Sequence, residues 1–147
     1  MSPIKHAAIS GVVSISFLAV TSSWLGSWAC FLSGIFIDID HIFDFWLDKK
    51  KFLFSYKDLF NFGTRERAGR LILIFHSYEL LAVFWIAIFL FHLNAVCLGI
   101  AWGATTHLLS DQWANPIKPT GYFFYYRFKW GFAKKYILKR KFYQQMV

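Results

Sequence analysis

Apolar residues in this chain gather in long runs, not in the alternation of a half-buried strand or the one-sided stripe of a soluble helix. The first run extends from Ala8 to Ile37, broken only by the turn formers and tryptophans of "TSSWLGSW" (Thr21–Trp28). A helix needs about 20 apolar residues, in a range of about 17–25, to cross a bilayer. The run therefore reads as two short or tilted spans, 6–21 and 24–40, joined by a tight turn; one long bent helix is the alternative. "LILIFHSYELLAVFWIAIFL" (Leu71–Leu90) makes a further span, 71–91, with polar groups only in its first half. After the turn "HLN" (His92–Asn94), "AVCLGIAWGATTHLLS" (Ala95–Ser110) returns across the bilayer, 95–110, with small residues suited to close helix packing. "ANPIKPTG" ends it, because proline cannot continue a helix.

Two polar stretches complete the pattern. Residues 41–70 are mixed in charge, with "DKKK" and "NFGTRERAGR" marking a surface loop with room for a short amphipathic helix. The tail, 117–147, interleaves aromatics with Lys and Arg. There is no internal repeat and no low-complexity segment. The expected fold is all-α: a single domain over 1–147, an integral membrane four-helix bundle with a cytoplasmic loop and a basic-aromatic C-terminal tail.

Composition agrees with the membrane class: 57% of residues are hydrophobic and 22% aromatic. The two cysteines, Cys30 and Cys97, sit in apolar runs and suggest neither a disulfide framework nor a thiolate zinc site. The N-terminal run is too long for a cleaved signal peptide and has no clear cleavage site, so the N-terminus is expected to be retained. The net charge of +8 then points to anionic headgroups and membrane orientation, with no nucleic-acid partner. With four spans, all 16 Lys and Arg fall on one face, which the positive-inside rule makes cytoplasmic; three spans would split them. Both termini are thus placed in the cytoplasm.

The same topology brings candidate chemistry to one depth. His6 opens the first span, and Asp38, Asp40 and His41 close the second. His76 and Glu79 begin the third, and His107 and Asp111 end the fourth; His92 lies at the opposite end. His76 with Glu79 (i,i+3) and His107 with Asp111 (i,i+4) would each share a helix face. Ionisable groups at membrane depth are costly and face a bundle interior, where they pair or serve function. Four His with four carboxylates and no Cys form a nitrogen–oxygen ligand set for a divalent metal: zinc, with manganese or iron also suited. Taken singly the members have plainer readings. His6 could be an interfacial residue, either His–carboxylate pair a helix-to-helix hydrogen bond, and Asp44 and Asp48 a solvated helix end balancing Lys49–Lys51.

These residues also match a family pattern. "DIDH" (Asp38–His41), "HS" (His76, Ser77) and "THLLSDQWANP" (Thr106–Pro116), with a His near the N-terminus, resemble the YdjM-like family of inner-membrane metal-dependent hydrolases. The resemblance covers most of the chain to about Gly121 and implies a multi-pass protein of the bacterial inner membrane. Two departures stand out. Leu71 and Ile72 occupy positions where the family has His and Arg, and Ile37 replaces the proline before the acidic pair. Glu79, one turn beyond His76, could supply a carboxylate instead; the alternative is a branch that has lost a metal and its activity.

Two functions follow as expectations. The first is hydrolysis of a lipid-linked ester, chiefly a phosphoester, at the cytoplasmic interface. Asp38, His41, His76, His107 and Asp111 would be metal ligands, and His6 and Asp40 further ligands or groups that hold them. Glu79 would be a ligand or general base, with Asp40 a second catalytic carboxylate. Arg65, Arg67 and Arg70 would hold a phosphate headgroup or simply contribute positive-inside charge. The second is a non-catalytic membrane protein with a structural metal site or a partner-binding role. Transport is disfavoured because the outer halves of the spans lack polar groups.

Overall fold

The structure, a computed structural model, describes residues 3–50 and 69–146. Among these the fold is all-helical, with no strand and only two isolated antiparallel bridges, Arg70 to Ala133 and Ile117 to Leu138. The helices are α1 (Pro3–Thr21), α2 (Trp24–Phe36), α3 (Ile39–Lys49), α4 (Tyr78–Leu90), α5 (Ala95–Ala114), α6 (Phe124–Lys129), α7 (Lys134–Ile137) and α8 (Arg140–Gln145), with a 3-10 turn at Pro119–Tyr122. Within what the sequence presents as one domain, the chain forms two compact units: Met1–Ile37 with Glu79–Asn115, and Asp38–Tyr78 with Pro116–Val147.

The first unit contains α1, α2, α4 and α5. The α1–α2 turn passes through Ser22 at φ 54°, and the Ser23 side chain caps α2 by accepting from the Gly26 N–H. The α4–α5 turn passes through His92 at φ 48°, and Asn94 caps α5 by accepting from Val96 and Cys97. His92 is thus a turn residue. Helices α1, α2 and α5 pack on one another. The α2–α5 contact is backbone to backbone: a Cβ on Gly99 would run into the Gly26 carbonyl, and one on Gly103 into the Cys30 carbonyl and Ser33 Oγ. Trp85 of α4 reaches α5, donating Nε1–H to Thr105 Oγ1 at 3.0 Å and meeting Trp102 edge-on.

Burial in this unit is inverted relative to a soluble bundle. The buried positions of α1 are His6, Ser10, Ser14 and Phe17, whereas Val12, Ile15 and Val20 are 67–85% exposed. Trp24, Leu25, Phe89, Leu90 and Trp113 are exposed as well. Among the described residues one helix, α1, is long and apolar enough to cross a membrane (Ile4–Thr21); α4 is apolar but shorter.

The second unit contains α3, the segment Leu71–Ser77 and the C-terminal helices. Its core is Leu71, Leu73, Ile117, Tyr122, Ile137, Leu138 and Met146. Main-chain bonds tie it together: Leu71 N–H to Phe132 O, Lys118 N–H to Ile137 O, and Lys139 N–H to Pro116 O. The tail is therefore folded and contributes a core, more than the headgroup-docking strip its composition suggests.

Three span boundaries are corrected. The predicted helix 24–40 stops at Phe36, and α3 starts at Ile39 with Asp38 at its N-cap and Asp40 in its first turn. Restarting the helix there puts both carboxylates at a positive helix end instead of a negative one. The predicted span 71–91 is helical only from Tyr78, and its 13 helical residues rise about 20 Å, against the about 30 Å of a hydrocarbon core. The last span continues past Ser110 to Ala114, where Asn115 and Pro116 end it. Of the expected loop 41–70, α3 takes the part up to Lys49, and residues 51–68 lie outside the described residues.

Candidate metal centre

Each unit holds a His–carboxylate triad. In the first, His6 comes from α1 and His107 and Asp111 from α5. All three are buried, and the ligand atoms they offer lie within 4.8 Å of one another. His6 Nε2 is 3.0 Å from Asp111 Oδ1, and His107 Nε2 is 3.4 Å from Asp111 Oδ2. The His6 and His107 rings stack at 4.0 Å between centroids and 14° between planes. His107 Nδ1 lies 2.8 Å from the Gly34 carbonyl oxygen. A carbonyl only accepts, so Nδ1 carries the proton and Nε2 is left facing the Asp111 carboxylate.

The second unit repeats this logic. Asp38 at the N-cap of α3, His41 in its first turn and His76 offer atoms within 4.8 Å of one another. Asp38 Oδ1 lies 3.4 Å from His76 Nε2 and 3.7 Å from His41 Nε2. His76 Nδ1 is held by Asp40 Oδ2 at 3.1 Å, and the same oxygen accepts from the N–H groups of Phe75 (2.7 Å) and His76 (3.1 Å). A carboxylate on Nδ1 directs Nε2 outward as a ligand and raises its basicity, the usual carboxylate–histidine–metal arrangement. His76 is buried, while Asp38 and His41 are about one-third exposed.

The spacing decides what such triads can do. Bonds of about 2.1 Å in a tetrahedral zinc site put neighbouring ligand atoms about 3.4 Å apart. The separations of 3.4 and 3.4 Å, flanked by 3.0 and 3.7 Å, fit that pattern. In each triad an Nε2 and a carboxylate oxygen face each other, an arrangement that a divalent cation between them would satisfy. These His and Asp residues could hold a metal ion.

Other predicted residues fall differently. Asp40 anchors His76 and the main chain at 75–76. Glu79 sits in the first turn of α4, half-buried, outside both triads. It does not share a helix face with His76, because the helix begins only at Tyr78. Arg65 and Arg67 lie outside the described residues, and Arg70 is exposed at its bridge to Ala133. Leu71, where the family pattern has His, is buried in the apolar core of the second unit.

The sequence reading missed three contributors. The Gly34 carbonyl carries no side-chain signal at all. Asp44, expected as a solvated helix end, is buried and accepts from Ile72 (2.7 Å) and Leu73 (3.2 Å) N–H; its i,i+4 spacing from Asp40 was the available clue. Arg127, hidden in the tail's positive charge, is fully buried and donates to the carbonyls of Leu73, His76 and Gly121 at 2.7–2.9 Å.

No protein-family model, curated protein or solved structure matches the chain. Residue roles therefore rest on the geometry above.

Burial pushes the Asp44 carboxyl up to about 7; Asp40 beside it adds to the rise, and the Ile72 and Leu73 amides and Arg127 oppose it. With its folded pKa above the unfolded value, Asp44 favours the fold most at low pH, and that contribution is lost as pH rises from about 4 to 7. At 1.36 kcal/mol per unit the loss is bounded at about 4 kcal/mol. Thermal unfolding in detergent should show wild type losing stability relative to Asp44→Asn over this window, with the difference flat above pH 8. Parallel curves across the window would contradict the assignment.

Proposed function

We propose that the protein is a membrane-embedded, metal-dependent hydrolase acting on a lipid-linked ester of the phosphoester kind at the cytoplasmic interface. The observation that carries the metal half is the repeated arrangement: a histidine fixed through Nδ1, its Nε2 3.4 Å from a carboxylate oxygen, once in each unit. The membrane half rests on the inverted burial of the first unit. Exposed apolar side chains on α1, α2, α4 and α5 are an aggregation liability in water and an ordinary surface in lipid. Four spans, with all basic residues on the cytoplasmic side, remain the topology that the charge pattern favours. The likeness of "DIDH", "HS" and "THLLSDQWANP" to the YdjM-like inner-membrane hydrolases points the same way.

In this reading zinc is the preferred ion, with manganese or iron as alternatives. A divalent ion supplies Lewis acidity toward a phosphoryl oxygen and acidifies water. Asp38, His41 and His76 would hold one ion, with Asp40 fixing the His76 ring; His6, His107 and Asp111 would hold another. Glu79, a carboxylate in the first turn of α4, would be the general base or a further ligand. The basic and aromatic tail, with Lys129 over Trp130 and Lys135 over Tyr136, rests on anionic headgroups.

The test is turnover of phosphatidic acid and of a soluble aryl phosphate in mixed micelles. Phosphate release should be abolished by chelator and fall at least about 100-fold in Glu79→Gln. No release from metal-loaded protein would leave the second reading, a non-catalytic protein with structural ions. That reading is favoured by the full burial of His6, His107 and Asp111.

A further inference from the structure

We propose that Arg127 is a positioning residue for His76, which makes the C-terminal tail part of the support of the second triad and not only a membrane anchor. This rests on the reading that Asp38, His41 and His76 bind a divalent ion.

The segment Leu71–His76 is not helical, and much of its main chain is satisfied by charged side chains from elsewhere in the second unit. Asp44 takes the N–H groups of Ile72 and Leu73, and Asp40 those of Phe75 and His76. The carbonyls at Leu73 and His76 go to one guanidinium: Arg127 Nη2 to Leu73 O at 2.8 Å and Nη1 to His76 O at 2.9 Å, with Nη1 also on Gly121 O at 2.7 Å. The His76 ring is thus oriented at Nδ1 by Asp40, while its backbone is pinned by Arg127.

A fully buried guanidinium is costly to desolvate, and here three carbonyl bonds offset part of that cost. The planar fork reaches three carbonyls at fixed angles, which a lysine ammonium on a flexible stem does not reproduce. Leu73 adopts a left-handed conformation at φ 48°, rare for a branched residue, and the other main-chain bonds of the segment include Leu71 N–H to Phe132 O at 3.0 Å and His76 N–H to Leu73 O at 3.2 Å. The carriers of Arg127 are the six residues of α6, whose other face exposes Tyr125, Phe128 and Lys129. That helix therefore joins the tail's exposed aromatic-basic surface to the backbone of a metal-ligand residue.

Loss of a group that orients a metal-bound histidine typically lowers metal affinity about 10–100-fold. The test uses cobalt(II), whose absorption reports its ligands, in a His107→Ala background that isolates the second triad. Arg127→Gln should weaken cobalt binding there at least about 10-fold and shift its spectrum. Arg127→Lys, which keeps the charge and stem, serves if the Gln variant does not fold and should show a smaller loss. In the His107-intact chain, the first triad should keep its affinity in both variants. Parental affinity and spectrum in both Arg127 variants would overturn the proposal, as would equal weakening at both triads in folded protein. Absence of cobalt from the parent would bring down the metal reading itself, and this proposal with it.

Discussion

Replacing His107 with alanine should empty the His6–His107–Asp111 triad and leave the Asp38–His41–His76 triad loaded, and His76→Ala should do the reverse. Each substitution removes a nitrogen 3.4 Å from its carboxylate partner. The effect should exceed the about 10–100-fold typical of losing an outer hydrogen-bond partner, because a ligand itself is gone. The two variants separate metal binding from simple hydrogen bonding. Were the triads only proton-bridged pairs, alanine would cost stability and no metal. Elemental analysis of detergent-purified protein, after zinc loading and gel filtration, reads the outcome. Unchanged metal content in both variants would refute the ligand assignment.

Gly103→Leu should separate α5 from α2 and unfold the first unit. Any Cβ at this position meets the Cys30 carbonyl and Ser33 Oγ, and Gly34 N lies 3.0 Å away. Two of these three are backbone, so no rotamer change relieves the overlap. Overpacking typically costs about 1–3 kcal/mol, and here the relief is rigid movement of a helix that carries both His107 and Asp111. Replacing a helical glycine would otherwise favour the helix by about 1 kcal/mol, so a net loss isolates the packing effect. Thermal unfolding followed by circular dichroism should show a lowered midpoint for Gly103→Leu and a near-normal one for Gly11→Leu, whose Cβ meets nothing within 4 Å. Equal stability of the two variants would contradict close α2–α5 packing.

How much of this was legible beforehand differs residue by residue. The helices, the His92 turn and the His107–Asp111 pair follow from local spacing, because i,i+4 contacts and turn chemistry are properties of short sequence. The small residues of the last span also announced its tight packing. The irregular segment at Leu71–Ser77 was not legible. Its apolar run reads as helix, and what prevents helix is the capture of its amides by Asp40 and Asp44 and of its carbonyls by Arg127. Those partners are 28–54 residues away in sequence. Asp44 and Arg127 were misread for the same reason: a charge in a polar stretch looks solvated until a distant main chain is shown to need it. Leu71 was read as a missing ligand, yet it fills an apolar core formed with residues of the tail.

The central claim is that the two His–carboxylate triads are metal sites. It is tested most directly by the metal content of the wild-type protein, purified in mild detergent without chelator and offered zinc, manganese and iron in turn. The account predicts a stoichiometric divalent ion retained through gel filtration, zinc preferred. Protein that is folded and monodisperse yet retains none of the three metals would contradict it.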